Sequence, residues 1–179
     1  MRSVPILAAA LALAACAVGP AAQVATSTLV AADAATSLTL ERLTLTRSVQ
    51  AAREDGMDPL VTLALGHADG RTLSFIEANH AETHLRAQAA DGPLAQVMGL
   101  NAGETPTLYT ANAQASRGAP FLCGPEGPHA IGMFESADGH VRIVGLKQEF
   151  EFETLLDGTI SALPYSPDQV CARLSFRRN

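Results

Sequence analysis

The sequence predicts a mainly β fold, an antiparallel sandwich or small barrel with one or two short helices inserted. Three observations carry this reading. Runs that alternate apolar and polar residues recur in both halves of the chain. Two of them enclose an Ala-Asp-Gly sequence, at 68–70 and 137–139, which marks hairpins. Between the halves lies a stretch rich in Ala, Glu, Gln and Arg and poor in β-branched residues, the composition of helices.

The elements follow in order. Residues 16–37 are Ala- and Thr-rich and almost uncharged, and predict a flexible tether with an extended stretch around Ser27 to Ala31. In "LTLERLTLTR" Leu38 and Leu40 are out of phase with Leu43 and Leu45. A bulge near Glu41–Arg42 would return all four leucines to one face. In "VTLALGHADGRTLSFIE" a three-residue loop places Leu65 opposite Leu73 and Leu63 opposite Phe75, with Gly70 free to take positive φ. "NHAETHLRAQAADGP" predicts a helix capped by Asn79 and Glu82, with Ala81, Leu85 and Ala89 on one face. "PLAQVMGLNAG" predicts a second, shorter helix ending at Gly103. "TLYTA" and "PFLC" read as strands. In "AIGMFESADGHVRIVGL" a two-residue Asp138-Gly139 turn would pair Met133 with Val144, Phe134 with Ile143 and Glu135 with Arg142. Both faces of that hairpin are apolar, so it should be central and covered on both sides. "CARLSFRR" closes the chain as a strand.

Composition bounds the function. The chain has 179 residues, 47% of them hydrophobic, enough for one domain with a core. Its formal net charge is −6. The basic residues that cluster do so only in the terminal "RLSFRRN", so no nucleic-acid partner is expected.

The first residues address localisation. Met1 and Arg2 precede an apolar run that is too short for a bilayer core, which takes ~20 residues, and that ends in small residues before Cys16. "LAAC", Leu13 to Cys16, resembles the lipobox of bacterial lipoprotein precursors. That resemblance implies a signal peptide over 1–15, a Cys16 carrying acyl chains as mature N-terminus, a tether over 16–37 and a single globular domain over 38–179. It implies export and a membrane partner held through lipid, since several acyl chains pass the threshold for stable anchoring. Ala17, where an Asp would retain the protein in the inner membrane, favours the outer membrane.

Chemistry is sparse. Cys123 and Cys171, an even remainder in an exported chain, predict one disulfide. His80 and His84 have the spacing of two metal ligands on a helix, but no third ligand is identifiable and the zincin Glu is replaced by Ala81. No metal, cofactor or catalytic residue is therefore assigned. His67, His129 and His140 lie beside turns, and "GPEGPH" at 124–129 reads as a turn after the disulfide rather than a phosphate cradle. "EFEFE" puts Glu149, Glu151 and Glu153 on one face of an extended segment and two phenylalanines on the other. It reads as a charged face that blunts an edge, or as an acidic strip for a basic partner. The expected function is a non-catalytic binding or scaffolding domain for an envelope protein. The alternatives are an inhibitor of a cell-wall hydrolase, by analogy with small β-barrel lipoproteins that block lysozymes, and a periplasmic metal-binding protein.

Overall fold

The computed structural model describes residues 22–52, 58–79 and 81–179. Its strands are β1 (Gln23–Ala31), β2 (Arg42–Gln50), β3 (Leu60–Gly66), β4 (Thr72–Glu77), β5 (Thr107–Ala111), β6 (Ala130–Glu135), β7 (His140–Leu146), β8 (Phe152–Thr154), β9 (Ile160–Ala162) and β10 (Val170–Arg178). The helices are α1 (Ala34–Thr39), α2 (Glu82–Gln88) and α3 (Pro93–Met98). Eight strands close an antiparallel barrel in the order β1-β10-β7-β6-β5-β4-β3-β2, and β8 and β9 form a separate hairpin between β7 and β10. The fold class is the expected one, and of the two architectures it is the barrel.

Alternation along each strand fills the barrel. Leu43 and Leu45 of β2, Leu63 and Leu65 of β3, Phe75 of β4, Ile131 of β6, Ile143 of β7 and Phe176 of β10 all point inward and are almost fully buried. An eight-stranded barrel has an interior just wide enough to be filled this way. A second apolar cluster lies outside it. Leu94, Val97 and Met98 of α3 pack on Leu108, Ala130, Val144 and Leu146, the outward residues of β5, β6 and β7. The β6–β7 hairpin is thus covered on both faces, as its doubly apolar pattern requires. Gly132 permits this packing, because a Cβ there would stand 2.4 Å from Leu94 Cδ1.

The β3–β4 register pairs Leu65 with Leu73 and Leu63 with Phe75, as the sequence predicts. The β6–β7 register does not. Met133 faces Ile143, Phe134 faces Arg142 and Glu135 faces Val141, one residue away from the expected pairing. Ala137-Asp138-Gly139 forms a three-residue loop like Ala68-Asp69-Gly70. In each, the residue before the loop bonds the residue after it at 2.9 Å, and the glycine N–H donates back at 3.0 Å. The extra loop residue sends Ile143 rather than Val144 inward beside Met133, which suits the barrel core. Leu156-Asp157-Gly158 repeats the loop between β8 and β9.

Other expectations are corrected. The segment 16–37 is not all tether: β1 begins at Gln23 and pairs with both β2 and β10. Its small and polar residues fit because only Leu29 and its near neighbours enter the core. No bulge realigns the four leucines. Asp33 caps α1 by accepting the Thr36 N–H at 2.7 Å, and the helix leaves Leu38 90% exposed while Leu40 turns into the core. Helix α2 starts later than predicted, with Ala81 as N-cap and no side-chain cap, and buries Ala87 while Leu85 is exposed. Helix α3 stops before Gly99, whose φ of 62° ends it short of Gly103. "PFLC" is an irregular loop, not a strand.

Candidate functional site

The loop between β5 and β6 seals one end of the barrel. Leu122 enters the interior core. Phe121 lies 5.3 Å from the His67 ring, with the Arg71 guanidinium over it at 5.6 Å. Cys123 is joined to Cys171 of β10, which staples the loop to the wall. The expected disulfide is present, although Cys123 sits in a loop. Both sulfurs rest on Gly145, where a Cβ would meet Cys123 Sγ at 2.6 Å. Gly124-Pro125-Glu126-Gly127 follows as a turn, with the Gly127 N–H donating to the Gly124 carbonyl.

With the interior filled by side chains, a ligand has to meet the outer surface. A recess there of about 360 Å³ runs between the α2–α3 pair and the β8–β9 hairpin. Phe152 and Tyr165 supply aromatic surface, Gln96 and Ser161 hydrogen-bonding groups, and Arg86 and Asp91 opposite charges. Two contacts set its walls. Gln88 ties α2 to the barrel: its amide donates to the Ala78 carbonyl at 2.6 Å and the His84 carbonyl at 3.1 Å, and its carbonyl accepts the Leu108 N–H at 2.8 Å. Across the recess, Arg86 Nε donates to the Ile160 carbonyl of β9 at 3.4 Å. Neither Gln88 nor Tyr165 stands out in the sequence. Gln88 bonds residues 4, 10 and 20 positions away, and Tyr165 reaches the recess from beyond β9.

The "EFEFE" segment borders this recess and shows the predicted two-sidedness. Phe150 is buried against the outer core, while Glu149, Glu151 and Glu153 are exposed. Glu149 accepts from His129 at 3.3 Å. The Leu163 N–H donates to the Glu151 backbone carbonyl at 2.9 Å, extending the hairpin beyond β8 and β9.

The described histidines do not converge. His80 lies outside the described residues. His84 lies on α2 with Nδ1 buried and unpaired, facing a crevice of about 20 Å³ shared with Thr110 and Glu149. That is room for about one water molecule. His67 meets Asp69 at 2.8 Å and His140 meets Asp138 at 3.7 Å. Among the described residues, no group of three or more His, Cys, Asp or Glu is placed to hold a metal ion. The hydrogen bond with His67 and the Arg71 backbone N–H hold the Asp69 carboxyl down at about 2.

The chain matches no family model, no curated protein and no solved structure.

A polar cluster marks the other end of the barrel. Arg47 meets Glu77 at 3.5 Å and Arg178 meets Glu135 at 2.7 Å. Tyr109, 1% exposed, lies within the field of both pairs, and burial followed by the Glu77 charge pushes its phenol up to about 12. Each pair bridges strands two apart in the barrel, and being partly exposed it adds little stability.

Proposed function

We propose that this protein is an exported, lipid-anchored and non-catalytic binding domain. On this reading it offers the α2–α3/β8–β9 recess to a basic segment of another envelope protein. The filled barrel interior carries the reading, because it leaves the outer surface as the place for recognition. The exposed Glu149, Glu151 and Glu153 beside the recess favour a basic partner through steering and register. The lipobox resemblance at Leu13 to Cys16 supplies the anchor, and the disulfide fits an oxidising compartment.

Site-specific photocrosslinking in the envelope tests the recess. A crosslinker at Ser161 should give a defined protein adduct that a control at Thr44, on the outer face of β2, does not. Glu149→Gln with Glu151→Gln and Glu153→Gln should reduce it. Equal adducts at both positions, or no effect of the triple change, would refute the recess. Should the adduct be a cell-wall hydrolase whose activity falls on binding, the inhibitor alternative follows.

A further inference from the structure

We infer that the outer face of β2, β1, β10 and β7 is a membrane-apposed surface that docks on anionic lipid headgroups. The inference rests on the anchor reading above. Residues 42, 142, 173 and 177 are arginines, and all four are exposed on this face. Leu43, Val141, Ile143, Leu174 and Phe176 point inward, so alternation sends these arginines outward.

Register brings them together from distant parts of the chain. Arg42 pairs across to Val30 of β1, Val30 to Arg177 of β10, and Arg177 to His140 of β7. Arg142 lies beside Ser175, between Arg173 and Arg177 along β10. Arg42 and Arg177 make no side-chain hydrogen bond or ion pair among the described residues. Arg142 donates to the Met98 and Gly99 carbonyls and Arg173 to that of Val97, so both cap the end of α3. Both also line a recess of about 300 Å³ beside α1. Three carboxylates border the patch, and one of them, Asp138, meets His140 at 3.7 Å. Asp33 is engaged as the α1 cap and Glu41 precedes Arg42, so the four arginines leave the patch cationic on an otherwise acidic protein.

Chain length selects the bilayer as the occupant. With Cys16 acylated, only residues 17–22 separate the lipid from β1, a reach of at most about 25 Å. The tether enters at Gln23, the end of β1 opposite Val30, so it keeps the barrel within that reach of the bilayer while the charge of the arginines selects the face presented to it. β1 lies four strands from β5 by either route around the barrel. Helices α2 and α3 and the acidic strip cover β5, β6 and the second half of β7, so the partner recess lies on the other side of α3 from the arginines and stays clear of the lipid-facing patch.

Vesicle flotation of the full chain carrying Cys16→Ser tests the surface without the acyl chains. Neutral phosphatidylcholine vesicles measure whatever the apolar N-terminal run contributes. Vesicles containing phosphatidylglycerol should bind the protein more strongly at low salt, and high salt should abolish the difference. Adding Arg42→Gln and Arg177→Gln should weaken binding to the anionic vesicles roughly 30-fold, at about 1 kcal/mol per arginine. Equal binding to both vesicle types would overturn the inference, as would an unchanged preference in the arginine variant; an acidic protein would then be the better occupant. Mass spectrometry of Cys16 in the wild-type protein reports the anchor separately. A free thiol there, with anionic preference intact, would defeat the anchor and spare the surface.

Discussion

Gln88 makes three hydrogen bonds with one amide, to the ends of β4 and β5 and to the preceding turn of α2. Gln88→Ala strands the Leu108 N–H and the Ala78 carbonyl in a half-buried setting. A buried polar group without a partner costs about 1–3 kcal/mol, so urea unfolding should show a loss in that range with little change in m. Tyr109 is a second single-residue test. Its phenol ionises near pH 10 in the unfolded chain and is pushed up to about 12 in the fold. The neutral form is the one the fold favours, so its contribution is fully present below pH 10 and fades as pH rises towards 12. Tyr109→Phe should flatten stability measured between those limits, and alkaline difference absorbance should show one late-titrating tyrosine in the native protein.

At the scale of elements, the disulfide and the hairpin loops decide what is rigid. Cys123 and Cys171 are 48 residues apart, and closing a loop of that length removes about 4 kcal/mol of unfolded-chain entropy. Cys123→Ser with Cys171→Ser should lower the melting temperature by several degrees or more, as calorimetry with and without reductant would show. Strand pairing was legible wherever both flanks carried large alternating side chains, as in Leu63, Leu65, Leu73 and Phe75. It slipped by one residue at β6–β7, where apolar residues on both faces make either register plausible from sequence and the loop length alone decides. Strand β1 was half hidden because Ala, Ser and Thr give little periodic contrast. Helix α1 was missed because its inward residue is Thr36, whose hydroxyl accepts the Ser175 N–H from the far end of the chain. The candidate recess was legible only in part. "EFEFE" announced its two faces, while Arg86, Gln96 and Tyr165 meet there through tertiary contacts that no local pattern encodes.

For the whole molecule, the anchor reading predicts that Cys16→Ser abolishes acylation and releases the protein from the membrane fraction at high salt, a condition that also screens the arginine face. Membrane retention of that variant after a high-salt wash, with its apolar N-terminal run removed, would reject lipidation as the attachment, and recovery of wild type with inner-membrane density would reject outer-membrane sorting. The barrel itself is sealed by its first and last strands along a short seam. Leu29, Val30 and Ala31 pair with Arg178, Arg177 and Phe176, and Asn179 adds one further bond to Thr28. A chain that stops before residue 176 would leave β1 and β10 with unsatisfied backbone edges, open to proteases and to other strands. Synthesis proceeds from the N-terminus, so β1 must wait for residues 176–178 before its second neighbour exists. Until those residues are in place, the eight strands form an open sheet with two free edges rather than a barrel.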